Sequence, residues 1–107
     1  MKYKVKTVRG KHPRVEVVFE DETYALAGEL MLAERPFLSE LIKQLDRVLH
    51  NTDAPTGNFS GNAFSVWVTP ESTKIANDIN GEEIEVPTKD LLKLAKAYQK
   101  QYDRIHR

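Results

Sequence analysis

Residues 2–8 read KYKVKTV, with Tyr3, Val5 and Thr7 on one side of a period-two alternation and Lys2, Lys4 and Lys6 on the other. That period marks a strand with one buried face. A loop follows at Arg9-Gly10-Lys11-His12-Pro13, because glycine relaxes backbone sterics and proline cannot donate to a ladder. Alternation resumes over 14–20, placing Val15, Val17 and Phe19 inward and Arg14, Glu16, Val18 and Glu20 outward. Lysines on one strand and glutamates on the next make an outer face of opposite charges. Asp21-Glu22 reads as a turn, and residues 23–26 as a third strand of the meander.

The period then changes. Residues 28–35 (GELMLAER) mix strand-like leucines with helix formers and read as the lead-in to a helix. Pro36 suits a first helical position, where its missing N–H costs nothing. Leu38, Leu41, Ile42, Leu45, Val48 and Leu49 then form one continuous apolar stripe, predicting a helix packed on a sheet. Residues 50–61 (HNTDAPTGNFSG) are turn formers apart from Phe59 and read as a long, mobile or functional loop. Residues 62–69 form a strand, with Phe64, Val66 and Val68 on one side and Ala63, Ser65 and Trp67 on the other.

Pro70-Glu71-Ser72 turns the chain into a strand over 73–79 through Ile75 and Ile79. Asn80-Gly81 predicts a two-residue type I′ hairpin turn, which needs positive φ at both positions. Residues 82–86 return with Ile84 and Val86 inward and Glu83 and Glu85 outward, and Thr88 is expected to cap the last helix. On that helix Leu91, Leu94, Ala95, Tyr98, Tyr102 and Ile105 share a face. The expected architecture is a single α+β domain over 1–107, ordered β-β-β-α-β-β-β-α, in which an antiparallel sheet of five to six strands has two helices packed on one face.

Composition narrows the classes. A chain of 107 residues fits one domain and one core. With no cysteine, disulfides, thiolate zinc sites and cysteine nucleophiles are excluded. No apolar run approaches the ~20 residues of a membrane-spanning helix, and residues 1–13 lack the continuous apolar stretch of a secretory signal, so a cytoplasmic location is expected. Charge is balanced at 16 basic against 16 acidic side chains, but unevenly distributed. Basic and acidic groups number six against two over 1–20, three against six over 21–50, one against six over 51–87, and six against two over 88–107. Such segments either present separate positive and negative surfaces or interleave and pair across strands.

Catalytic chemistry finds no foothold. His12, His50 and His106 lie in a loop, at a helix end and at the C-terminal end of the sequence, with no metal-ligand spacing among them. The serines lack a nucleophile elbow, and Gly57-Asn58-Phe59-Ser60-Gly61 precedes a strand instead of opening a helix, so it lacks the amide array of a phosphate loop. No enzymatic activity, metal or cofactor is expected.

Two binding surfaces stand out. Trp67 projects from the strand face that does not carry Phe64, Val66 and Val68; it is either an exposed anchor on the open side of the sheet or buried under a helix or the 50–61 loop. With Phe59, Glu71, Asp78, Glu82, Glu83 and Glu85 it forms a candidate surface for a basic protein partner. The alternative is nucleic acid on the stripe Lys89, Lys93, Lys96, Lys100 and Arg104, continued by Arg107, although no aromatics interleave with these cations. A homodimer through a free edge strand is also open, and no membrane partner is expected.

The runs Ser60-Gly61-Asn62-Ala63-Phe64, Thr69-Pro70-Glu71-Ser72-Thr73-Lys74-Ile75 and Val86-Pro87-Thr88-Lys89-Asp90-Leu91 resemble small uncharacterised proteins of Gram-positive bacteria, some of them encoded beside polymorphic toxins. The similarity spans roughly residues 24–100, rests mainly on turn and cap chemistry, and implies an immunity role. No binding residue carries over from it.

Overall fold

Alternating strands and a buried helical layer account for the whole arrangement. The structure is a computed structural model and describes residues 1–50, 53 and 56–106. Strands β1 (Tyr3–Val8) and β2 (Arg14–Phe19) form an antiparallel ribbon with Val5 opposite Val17. Helices α1 (Ala25–Ala33) and α2 (Leu38–His50) follow, then β3 (Gly57–Ser60), β4 (Phe64–Val68), β5 (Ser72–Asn77), β6 (Glu83–Pro87) and helix α3 (Thr88–Ile105). The last four strands make one antiparallel sheet in the order β3-β4-β5-β6.

The fold is therefore α+β, but the expected single sheet of five to six strands is two sheets, of two and four strands, with three helices. The physical reason is what lies between them. Helix α3 touches β1 and β2 as well as β5 and β6, and α1 touches both β2 and β5. The helices thus fill the space between ribbon and sheet and share one core, in which Val15 of the ribbon, Leu30, Leu41, Leu45, Leu91 and Leu94 of the helices, and Val66 and Ile75 of the sheet are buried together. Tyr98 reinforces the junction by donating its hydroxyl to the Val15 carbonyl at 3.2 Å, and burial pushes its phenol above the ordinary value.

Several local expectations are corrected. Residues 23–26 are not a strand: the Asp21 side chain accepts from the Thr23 N–H at 3.0 Å and opens a 3-10 turn, Glu22–Tyr24, that runs straight into α1. Those bonds to Thr23 hold the Asp21 carboxyl below the usual carboxylate range. Residues 28–35 lie mostly in a helix of their own, not a lead-in. Leu26, Ala27, Leu30 and Met31 are all buried, and a short helix rich in apolar residues carries little polar contrast to reveal its period.

Ile79 is 82% exposed in the β5–β6 connection and not in a strand. That connection is longer than the expected type I′ turn. The Asn77 N–H donates to the Glu82 carbonyl and the Gly81 N–H to the Asn77 carbonyl. Only Gly81 has positive φ, +78°. Thr88 does not cap α3; Pro87 holds that position, and Thr88 is fully buried in the first turn. Its hydroxyl donates to the Thr69 carbonyl at 2.6 Å and accepts from the Thr73 hydroxyl at 2.7 Å, tying the helix start to β5 and to the β4–β5 turn.

One buried side chain sets the position of the sheet against the helices. Glu34, at the C-terminal end of α1, is fully buried. Its carboxyl oxygens accept the Asn62 N–H at 2.7 Å and the Ala63 and Phe64 N–H groups at 2.9 Å each. Residues 61–64 form the β3–β4 turn, closed by the Gly61 N–H on the Phe64 carbonyl. Two-residue hairpin turns usually rely on positive φ, yet none occurs here; the carboxyl group collects the turn's N–H groups instead. Gly61 is required by this approach, since a Cβ there would lie 2.2 Å from the Glu34 carboxyl carbon. Glu34→Gln turns an amide against N–H donors and should lower unfolding free energy by about 2–4 kcal/mol. Gly61→Ala should destabilise comparably in urea denaturation, while the double variant Glu34→Ala/Gly61→Ala should lose less than the sum of its two single variants, Glu34→Ala and Gly61→Ala.

Candidate functional site

The register of the four-stranded sheet sorts its side chains into two faces. Phe59, Val66, Ile75 and Ile84 align on the helix-covered face. On the other, Asn58, Trp67, Lys74 and Glu85 form one cross-strand row, and Ser60, Ser65, Ala76 and Glu83 the next. Trp67 is 46% exposed near the middle of this open face, the first of the two orientations that the sequence allows.

The surroundings of Trp67 are built from paired and unpaired charges. The Lys74 ammonium stands 5.1 Å from the centroid of the Trp67 ring, within cation–π range, and 3.1 Å from a Glu83 oxygen. The Ser65 hydroxyl lies 2.9 and 2.8 Å from the two Asp78 carboxyl oxygens. Glu82 sits exposed beside Asp78 in the β5–β6 turn, whereas Glu71 lies exposed in the β4–β5 turn at the opposite end of the strands. Among the described residues Glu71, Glu82 and Glu85 make no ion pair, so the only basic group on this face, Lys74, is outnumbered.

Phe59 is a different case. It lies in strand β3, not in a loop, and is only 7% exposed because its ring faces the core. Part of the expected 50–61 loop is thus strand, and residues 51, 52, 54 and 55 lie outside the described residues.

A groove of about 520 Å³ runs where β3 meets α2, bounded by Phe37, Glu40 and Gln44 on the helix side and by Asn58, Ser60 and Trp67 on the sheet side. Phe37, in the 3-10 turn before α2, is 43% exposed, so an aromatic ring stands on each side of the groove. Sequence reading did not single out Phe37, Glu40 or Gln44, because only the packing of α2 beneath β3 brings them beside Trp67.

The second surface is the back of α3. Lys89, Lys93, Lys96, Lys100 and Arg104 are all exposed along it, while Arg107 lies outside the described residues. Lys96 is 3.9 Å from Asp46 of α2, which also pairs with His50 at 2.9 Å. Tyr98 is buried, and Tyr102 is covered by the Arg35 guanidinium, 4.5 Å from its ring centroid. The three histidines remain apart: His12 is in the β1–β2 connection, His50 at the end of α2, and His106 stacks on Tyr102 with centroids 4.1 Å apart. Among the described residues no three His, Asp or Glu gather as metal ligands, and no helix is long and apolar enough to cross a membrane.

Comparison with protein-family models, with curated proteins and with solved structures finds no match to this chain. As the single tryptophan, Trp67 reports directly on its face. Its fluorescence should be red-shifted and readily quenched by acrylamide, and Trp67→Ala should change unfolding free energy by less than about 1 kcal/mol.

Proposed function

We propose that this chain is a non-enzymatic binding module that captures a basic protein partner on the uncovered face of its four-stranded sheet, with Trp67 as the anchor. The observation that carries this reading is the half-exposed indole at the centre of a face where Glu83, Glu85 and Asp78 outnumber Lys74. Exposed tryptophans that become desolvated on contact dominate many protein interfaces. An acidic surround speeds the approach of a basic surface and sets its orientation. Lys74 is already held by the indole and Glu83, so its charge is partly neutralised before any partner arrives. An immunity-like role is the biological form suggested by the resemblance to proteins encoded beside toxins, and a cytoplasmic setting fits that role.

The exposed cation stripe of α3 supports a second reading, nucleic-acid binding, weakened by Asp46 beside Lys96 and by the absence, among the described residues, of exposed Phe, Tyr or Trp rings between the lysines.

Affinity capture from the source cells separates the two. On the protein-binding reading, a basic protein is retained by the wild type and Trp67→Ala loses at least ~2 kcal/mol of binding free energy, with the fold intact by circular dichroism. Glu83→Lys/Glu85→Lys should weaken capture further at low salt than at high salt. Retention unaffected by these changes would defeat the reading. On the nucleic-acid reading, the wild type is held on a DNA or RNA column at low salt, and Lys93→Glu/Lys96→Glu/Lys100→Glu abolishes retention and its salt dependence.

A further inference from the structure

Among the described residues no strand pairs with the outer side of β3 or of β6, and these two edges of the four-stranded sheet differ in kind. The Gly61–Phe64 bond fixes which residues of β3 face β4. Hydrogen-bonded pairs alternate along an antiparallel ladder, so Phe59 pairs with Val66 and Gly57 with Val68, while Asn58 and Ser60 turn both N–H and C=O away from the sheet. By the same rule Asn77–Glu82 pairing on the far side directs the outward groups of β6 to Glu83, Glu85 and Pro87. Two glutamates and a proline blunt β6 against strand addition. Strand β3 reads Gly-Asn-Phe-Ser and has no charge, no proline and no bulge to do the same. Among the described residues nothing bonds the outward main chain of Asn58 or Ser60.

The groove described above lies along this unprotected edge. We infer that β3 is the acceptor for an extended, lysine- or arginine-bearing segment of the partner, which adds as a fifth strand beside Asn58 and Ser60. The inference rests on the reading of the open face as the docking side and specifies how the partner is held. Main-chain bonds to the edge supply affinity, and alternate side chains supply selectivity. Side chains on one face of the added strand extend the row of Asn58 and Trp67. The groove flanks the added strand, where the Phe37 ring can cover an aliphatic stem and Glu40, which Lys43 approaches at 3.4 Å, can receive a further cation. Glu40 is the one charged side chain lining that groove. A second copy of this chain fits poorly, because edge-to-edge pairing would bring two Glu40 side chains and two acidic sheet faces together.

The test uses the full ¹⁵N-labelled chain and a blocked octapeptide of alternating lysine and valine. Strand addition is expected to slow exchange of the Asn58 and Ser60 amide protons about tenfold or more. An octapeptide N-methylated at alternate residues should bind about tenfold more weakly to the unaltered protein, the loss expected for one main-chain hydrogen bond. Asn58→Pro, which removes an outward N–H and leaves the internal ladder intact, should do the same. An octapeptide of glutamate and valine should give no protection. If the lysine peptide perturbs only the Trp67 indole, and N-methylation and Asn58→Pro change nothing, strand addition is overturned while the open-face reading stands. No binding of the lysine peptide overturns it as well, leaving Trp67→Ala capture to judge the open face. Protection of Asn58 and Ser60 that grows with protein concentration alone, accompanied by dimer in sedimentation, assigns the edge to a second copy and overturns the proposal.

Discussion

A single fully buried carboxyl group joins the helical layer to the sheet. Glu34 leaves the end of α1 and accepts three consecutive main-chain N–H groups of the β3–β4 turn. Buried polar groups are costly unless satisfied, and here satisfaction is mutual. The turn's N–H groups have no strand partner and the carboxyl group has no solvent. Because the contact needs a residue without Cβ at position 61, a glycine and a glutamate far apart in the chain are locked to each other. Among the described residues no buried side-chain polar atom is left without a partner.

That anchorage has consequences at the surface. By holding the turn between β3 and β4 against the end of α1, Glu34 fixes where the short strand β3 lies relative to α2. The β3 edge runs beside Phe37, Glu40 and Gln44, and these residues line the groove between helix and strand. On the far side of β4 the same placement leaves Trp67 on the open face with Lys74 against its ring. A rigid, buried joint thus supports an open, chemically mixed surface, which is the arrangement that positions binding groups without ordering them at the moment of contact.

The charge segregation of the chain takes on spatial meaning in the same way. The acidic middle of the sequence supplies β4, β5, β6 and their turns, and the basic end supplies the exposed back of α3. In the ribbon Lys6 stands opposite Glu16 in register, and Glu16 pairs with Arg14 of its own strand at 2.8 Å. Basic and acidic positions thus alternate in the ribbon without an ion pair across its two strands among the described residues, while the open sheet face and α3 carry opposite charge.

Period-two and helical patterns determined much by themselves. They identify β1 and β2, the apolar stripe of α2, the inward faces of β4 and β6, and the two faces of α3, because each of these elements has one wet and one dry side. The pattern failed where that contrast vanishes. Helix α1 is packed between ribbon and sheet and lacks a clear polar face, and β3 has too few residues for a period to register. Tertiary structure alone decided that six strands divide into two sheets, since layers are set by what the helices fill. It also decided that Thr88 bonds inward to Thr69 and Thr73 instead of capping a helix. The Glu34–Gly61 contact, the outward main chain of Asn58 and Ser60, and the meeting of Phe37 with Trp67 across one groove all depend on segments distant in sequence. Local composition carries no record of such distances; only the packed chain brings them together.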